Sequence, residues 1–365
     1  MKKVEVNLGE NSYFIYIESN LFSKLPEIFK SMGSARKLYF ITDDNVKPLY
    51  AAALVEKLQL IDIEAHLISI PAGEPSKSLE ICDAVYTELI QSGATRQSTI
   101  VALGGGVVGD LAGFIAATFL RGIRFMQIPT TLLAQVDSSV GGKVGVNHRL
   151  GKNLIGAFYQ PKAVYIDPAT LKTLSKRELT AGMAEVIKYG LIRDAAFFAY
   201  LEENFVKVFL QDQQALESII ERCCRIKADI VSRDEKESGL RAILNFGHTI
   251  GHALEAATKY QVFLHGEAVM HGMKAAGEIC QQLQLLSAVQ ADRIRKFLNQ
   301  FAVPAIPANI QKSDLLFAIK KDKKRTESGQ IWALLDDIGS AILRNDVPED
   351  IVEEAIENML SGRNT

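Results

Sequence analysis

Apolar positions in the first half of the chain fall in short continuous runs, each followed by a turn and then by a helical spacing. Leu38-Tyr39-Phe40-Ile41 ends in Thr42-Asp43, and His66 to Ile70 ends in Pro71-Ala72-Gly73. Thr99 to Leu103 ends in three glycines, and Arg124 to Ile128 ends in Pro129-Thr130. Strands that alternate with helices predict a mainly parallel sheet, whose ligands bind beyond the carboxyl ends of its strands. From about Leu174 the period changes. Ser175 and Glu178 have capping-box spacing, and Leu179, Met183, Val186 and Ile187 make one apolar stripe. Further helices are predicted near 212–232, 246–258, 266–285, 289–301 and 313–321, then a hairpin-like stretch near 330–344 and a last helix opened by Asp346-Val347-Pro348-Glu349. The expected fold class is therefore an α/β, Rossmann-like N-terminal domain over residues 1–175, followed by an all-α C-terminal domain over 176–365.

With 48% hydrophobic and 23% charged residues among 365, the chain has ample apolar material for two cores. A formal net charge of −2 argues against nucleic acid as a partner, since polyanion binders carry a clear Lys/Arg excess. The basic run Lys320, Lys321, Lys323, Lys324 and Arg325 is too short to change that. Four cysteines without CxxC spacing fit a reducing, cytoplasmic location. The N-terminus alternates polar and apolar positions at once and has no secretory core. The most apolar stretch, Ile100 to Leu120, holds Asp110 and five glycines, which predicts a strand entering a buried helix and no membrane span.

Chemistry is concentrated in three places. Gly104-Gly105-Gly106-Val107-Val108-Gly109-Asp110 satisfies G-x-G-x-x-G directly after a predicted strand, where glycine lets a backbone approach a pyrophosphate and the helix start offers N–H donors. It departs from the usual fingerprint: two strand–helix units precede it, and no strand ends in an acid about 20 residues later. A dinucleotide held in a variant geometry is expected, and glycines serving only strand–helix packing are the alternative. Second, four of the six histidines, His248, His252, His265 and His271, lie between positions 248 and 271. His248 and His252 are i, i+4 on a helix that Asn245 is placed to cap, so both rings share a face. Two histidines and a carboxylate are a standard set for a catalytic metal, and spacing leaves Glu185, Glu255 and Glu267 all open as the carboxylate. Third, the run Pro129 to Lys143 with Gly141-Gly142-Lys143, then Gly151-Lys152-Asn153, offers lysines and backbone amides of the kind that hold a small phosphate.

Together these segments resemble the 3-dehydroquinate synthase family, in the superfamily that also holds iron-type alcohol dehydrogenases and glycerol dehydrogenase. The matching stretches are Gly73-Glu74 with Lys77-Ser78, Gly104 to Asp110, Pro129 to Lys143, Gly151 to Gly156, Ala181-Gly182 with Glu185 and Lys188, Gly239 to Glu255, and His265-Gly266-Glu267. The resemblance implies Glu185, His248 and His265 as ligands of one divalent metal, zinc or cobalt. It implies NAD against Asp43, Asn45, Ala72, Gly73, Glu74, Pro75, Ser76, Lys77, Gly106, Val107, Val108, Gly109, Asp110, Thr130, Thr131, Lys143, Lys152, Thr170, Leu171, Lys172 and Thr173. It further implies a sugar-phosphate substrate against Asp137, Lys143, Asn153, Lys188, Lys227, Arg241, Asn245, His252 and one of Lys323 and Lys324, in a homodimer where Arg121 reaches the neighbouring subunit's site. The implied reaction converts 3-deoxy-D-arabino-heptulosonate 7-phosphate to 3-dehydroquinate by transient oxidation, phosphate elimination, re-reduction, ring opening and aldol closure, with His252 relaying protons. Another sugar-phosphate cyclase, such as 2-deoxy-scyllo-inosose synthase, a metal-dependent polyol dehydrogenase, or a non-catalytic metal or nucleotide sensor are the rival readings. Asp110 after the glycines and the intact Val136 to Lys143 run favour the dehydroquinate branch.

Overall fold

The computed structural model describes residues 1–32, 37–323 and 330–362. The chain divides into two compact units, Met1–Leu174 with Gln211–Lys236, and Ser175–Leu210 with Glu237–Thr365.

In the first unit seven strands form one sheet: β1 (Lys2–Val6), β2 (Tyr13–Ile17), β3 (Leu38–Asp43), β4 (Ala65–Ile70), β5 (Thr99–Gly104), β6 (Arg124–Pro129) and β9 (Ala163–Ile166), in the order β1-β2-β9-β6-β5-β3-β4. Every pair is parallel except β1 with β2. Because side chains alternate between faces, each central strand feeds two cores. Tyr39, Ile41, Ile100, Ala102 and Phe125 pack with α3 (Leu79–Gln91) and α4 (Gly106–Thr118). Leu38, Phe40, Val101, Leu103, Met126 and Ile128 pack with α1 (Leu25–Ser31) and α2 (Ala52–Gln59). Burial on both faces explains why these strands read as continuous apolar runs. All four predicted strands and the turns at their carboxyl ends are present.

The stretch that carries Lys143, Lys152 and Asn153, for which no strand was predicted, is an antiparallel ribbon of β7 (Lys143–His148) and β8 (Gly151–Phe158). Val144 and Val146 of β7 are buried against α4, and a methyl at Gly113 of α4 would lie 2.3 Å from Val144 Cγ1. Polar residues thus stand on a strand because its apolar neighbours close the core. One helix beyond residue 175, α7 (Gln213–Arg233), belongs to the first unit. The helical half is therefore not one contiguous unit from 176 onward.

The second unit contains α5 (Lys176–Arg193), α6 (Ala195–Phe209), α8 (His248–Ala257), α9 (His265–Gln282), α10 (Ala288–Leu298), α11 (Lys312–Lys323) and α12 (Glu349–Leu360). Its only strands among the described residues are the ribbon of β10 (Trp332–Asp337) and β11 (Ser340–Arg344), where the hairpin was expected. All four cysteines are buried and free of disulfides. Among the described residues no helix is long and apolar enough to cross a membrane.

Helix α9 is buried along most of its length and touches two neighbours through glycine. A methyl on Gly266 would lie 1.9 Å from the carbonyl oxygen of Ala181 in α5, and one on Gly272 would lie 1.9 Å from the carbonyl oxygen of Gly247. Both obstacles are backbone, which cannot rotate away. Gly277, in the same helix, has nothing within 4 Å of such a methyl. Gly266→Ala and Gly272→Ala are expected to destabilise the protein by about 1–3 kcal/mol or more through overpacking. Gly277→Ala is expected to be neutral or to stabilise by up to about 1 kcal/mol through helix propensity. Urea midpoints of the three variants check this, and equal midpoints would refute the close-approach reading.

Candidate active site

Helix α5 starts where Ser175 Oγ accepts from the Glu178 N–H at 3.2 Å, and from Leu179 to Ile192 every residue is buried. Glu185, 0% exposed, and Lys188 stand inside that run. A charge taken from water there needs a partner. The Lys188 ammonium donates to Glu185 Oε2. The other carboxylate oxygen, Oε1, is buried and has no hydrogen-bond donor.

Two imidazoles face that oxygen. His248 Nε2 lies 3.4 Å from it and His265 Nε2 3.9 Å. His248 Nδ1 donates to the Phe246 carbonyl at 3.2 Å, and His265 Nδ1 donates to Glu255 Oε2 at 3.1 Å. With the proton of neutral His248 on Nδ1, its Nε2 presents a lone pair toward Glu185, and His265 Nε2 faces the same oxygen. Burial holds the His248 pKa well below the ordinary histidine value, and the Lys188, His265 and His252 charges add to that. His248 is therefore neutral and cannot supply the missing donor. The buried oxygen and the His248 lone pair thus face each other with no hydrogen between them, an arrangement that a cation would satisfy. Donors about 2.1 Å from one tetrahedral Zn²⁺ stand roughly 3.4 Å apart, so these residues fit a divalent ion.

His252 follows His248 by one turn of α8, with ring centroids 5.3 Å apart. One ring nitrogen from each of His248, His252 and His265 lies within 4.8 Å of the other two. His252 is exposed where His248 is buried. His271, the fourth of the cluster in sequence, points elsewhere: its Nε2 donates to the Pro304 carbonyl at 2.9 Å.

The three candidate acids part company. Glu185 faces the imidazoles, Glu255 orients His265, and Glu267 accepts from Arg177 at 2.7 and 2.8 Å and from the Leu264 N–H at 2.7 Å. The expected cap of α8 is different too. Asn245 is exposed and donates to Glu237 Oε1 at 3.3 Å, while Gly247, at φ 77°, occupies the cap position. A positive φ and a space only 2.5 Å from Met273 Cγ require glycine there. Arg241 is buried in the turn before it.

In the α/β unit the glycine turn lies between β5 and α4, and the first-turn amides of Gly106, Val107 and Val108 leave the helix end as unpaired donors by construction. Gly104 and Gly109 also serve packing: methyls there would lie 2.7 Å from Val108 Cγ2 and 2.9 Å from Gln127 Oε1. After β4, Gly73 at φ 102° opens the turn Glu74–Ser76, and Ser76 Oγ donates to the Pro71 carbonyl at 2.6 Å. The buried Lys77 ammonium donates to Asp110 Oδ2 and to Asn153 Oδ1, which joins the turn after β4, the start of α4 and the start of β8. Burial pushes the Asp110 carboxyl up and Lys77 partly offsets it. Lys227 of α7 donates to Asp137 Oδ1 at 2.7 Å and to its carbonyl at 2.8 Å. At the end of β3, Asp43 Oδ1 accepts from the amides of Asn45 and Val46, both at 2.9 Å. Thr170 and Leu171 are buried and Lys172 is exposed in the turn Pro168–Thr173. Thr130 is buried after β6, with Thr131 capping the next turn by accepting from Ala134 N–H at 3.2 Å. Lys143 is exposed at the start of β7, Lys152 half-buried on β8, and Arg121 exposed at φ 68° after α4. The side chains of Lys323 and Lys324 lie outside the described residues.

Two supporting residues have no periodic signature in the sequence. Asn147 Nδ2 donates to Glu74 Oε1 at 2.7 Å while its Oδ1 accepts from the Asn153 N–H at 2.9 Å. Gln135 Nε2 donates to the Pro129 and Asp167 carbonyls at 3.2 Å and to Thr170 Oγ1 at 3.0 Å. An asparagine in a Gly-Val-Asn stretch next to a turn is the one available signal, and it is weak.

The 3-dehydroquinate synthase N-terminal family model matches residues 67–181, and the C-terminal model matches residues 182–325. The chain is 47% identical over 350 residues to a 3-dehydroquinate synthase of Desulforamulus reducens, covering 96% of this chain and 98% of the relative. It is 47% identical over 353 residues to that of Thermoanaerobacter pseudethanolicus, covering 97% and 99%. Among solved structures, a 2-epi-5-epi-valiolone synthase from Streptomyces hygroscopicus subsp. jinggangensis with NAD+ and Zn2+ bound has a TM-score of 0.89 at 29% identity, over 98% of this chain and 99% of its own. A 2-deoxy-scyllo-inosose synthase complexed with carbaglucose-6-phosphate, NAD+ and Co2+ has a TM-score of 0.87 at 26% identity, over 98% and 99%. Both halves of the chain match in order and nearly to full length, and the chain belongs to the 3-dehydroquinate synthase family.

Proposed function

We propose that this chain converts 3-deoxy-D-arabino-heptulosonate 7-phosphate to 3-dehydroquinate and phosphate, as a cytoplasmic homodimer using NAD and one divalent metal. The observation that carries the metal is the donorless, buried Oε1 of Glu185 facing Nε2 of His248 and of His265. Glu185, His248 and His265 hold the ion in this reading. The related cyclases with NAD+ and Zn2+ or Co2+ support the cofactor set. Bound, the ion supplies Lewis acidity and NAD reversible hydride acceptance.

The chain's own residues do the rest. Lys188 neutralises the second oxygen of Glu185 and keeps the first aimed at the imidazoles. Glu255 and the Phe246 carbonyl fix the proton of each ligand ring on Nδ1. The exposed ring of His252 moves protons to and from the reacting hydroxyl, a task suited to an imidazole. In the α/β unit, the amides of Gly106 to Val108 and the turn Gly73 to Lys77 hold the dinucleotide, with Asp43, Thr130, Thr131 and Thr170 to Thr173 around it. Lys143, Lys152 and Asn153 receive the phosphate, with Asp137, Lys227, Arg241 and Asn245 binding the rest of the substrate. Arg121 reaches the second subunit.

Incubation with 3-deoxy-D-arabino-heptulosonate 7-phosphate, catalytic NAD and zinc or cobalt is expected to release stoichiometric phosphate with no net NADH. Accumulating NADH on a polyol would point to a dehydrogenase, and turnover of glucose 6-phosphate instead would point to an inosose-forming cyclase. Either result overturns the proposal. Glu185→Gln, His248→Ala and His265→Ala are each expected to abolish turnover and weaken metal retention, whereas His271→Ala retains the metal. Metal content after gel filtration decides, and loss confined to the His271 variant would refute the ligand set. His252→Ala is expected to keep metal and NAD while slowing single turnover by roughly 10²–10⁴-fold. Full metal content with an unchanged rate would remove the relay role, and loss of metal would make His252 a ligand.

A further inference from the structure

Arg177, Ala181 and Glu185 stand at i, i+4 and i+8 along α5, so they share one face of that helix. Each meets a successive residue of the first turn of α9. Arg177 Nε and Nη2 donate to the two oxygens of Glu267 at 2.7 and 2.8 Å. The Ala181 carbonyl closes on the backbone of Gly266, within 1.9 Å of where a methyl would sit. Glu185 Oε1 faces His265 Nε2 at 3.9 Å. One seam thus runs from an ion pair, through a backbone contact, to the carboxylate and imidazole of the candidate metal centre.

The ion pair also grips the chain that leads into His265. Arg177 Nη2 donates to the Val262 carbonyl at 2.8 Å, and the Leu264 N–H donates to Glu267 Oε2 at 2.7 Å. The side chain of Glu267 is 1% exposed and that of Arg177 54%. The carboxylate is the buried partner, and the two prongs of the guanidinium fork together with the Leu264 N–H hold its orientation. A single ammonium in place of the guanidinium would supply the charge without the fork.

We infer that Arg177 and Glu267 are positioning residues for the metal: their fork sets the register of α5 against α9, and so the separation of Glu185 Oε1 from His265 Nε2. Neither residue touches the ion or the substrate. The inference rests on the reading of Glu185, His248 and His265 as ligands.

The test titrates the metal-free full chain with Co²⁺, following the visible ligand-field bands, and competes Zn²⁺ against a chelator. The variants are Arg177→Met, Arg177→Lys, Glu267→Gln, the double Arg177→Met/Glu267→Gln, and Glu185→Gln as the ligand control. Arg177→Met and Glu267→Gln are each expected to weaken the metal by about 10–100-fold, the usual cost of losing an outer partner, and to shift the cobalt bands. Arg177→Lys recovers part of the loss, and the double variant is no weaker than the weaker single one. Wild-type affinity and bands in Arg177→Met and Glu267→Gln, with binding lost in Glu185→Gln, would overturn this inference alone. Wild-type binding in Glu185→Gln would instead overturn the ligand reading on which it rests. Should Arg177→Met not fold, the isosteric Glu267→Gln decides by the same criteria. A lowered melting temperature of the metal-free variants with unchanged cobalt affinity and bands would reduce the pair to a structural role and refute the inference.

Discussion

Glu185 is a carboxylate inside a helix that is buried on every side, and the arrangement of the helical unit follows from what that costs. Removing one charge from water is offset by Lys188 on one oxygen, while the other oxygen has no donor. A half-satisfied buried network is unfavourable unless something else completes it. A neutral His248 aimed at that oxygen through Nε2 cannot donate to it, and a cation is the group that would complete the network. Burial does two things here: it makes the carboxylate costly, and it keeps His248 unprotonated and able to ligate.

Glu185, His248 and His265 come from three helices, and helices place side chains more accurately than loops do. Close approach is secured by small residues: Gly266 against Ala181, Gly272 against Gly247, and Gly251, where a methyl would lie 3.1 Å from the Ala268 carbonyl. Side chains at those points would push α9 outward and open the gap between Glu185 and His265. The same glycines carry no chemistry themselves.

The α/β unit solves a different problem, since it must present backbone donors at the carboxyl edge of a sheet. Parallel strands bring the turns after β3, β4, β5 and β6 to one edge. Lys77 then ties three of the surrounding segments through Asp110 and Asn153, and Asn147 ties Glu74 to the backbone of Asn153. These are short polar links over turns that have few apolar side chains to hold them. Gly104 and Gly109 answer to packing, so contact with Val108 and Gln127 alone requires two glycines of the run.

Much of this was legible in residue order alone. Continuous apolar runs announced β3 to β6, because strands buried on both faces need no polar positions. The change to helical period near residue 175 marked the change of structure, and i, i+4 spacing put His248 and His252 on one face of a helix. Within one element, period determines geometry. Between elements it does not: Glu185, Glu255 and Glu267 were equivalent by spacing, and only the packing of α5, α8 and α9 gave them three different partners. The β7–β8 ribbon was hidden by glycines and polar residues that reach strand geometry through Val144 and Val146 in a distant core. Helix α7 shows an ordinary amphipathic pattern, which says that one face is covered and not by which unit. Gly247 displaced Asn245 from the cap because the backbone of α9 runs too close for any side chain. Local order determined the elements and their exposed and buried faces; the tertiary structure alone decided which faces meet, because that depends on surfaces far apart in the chain.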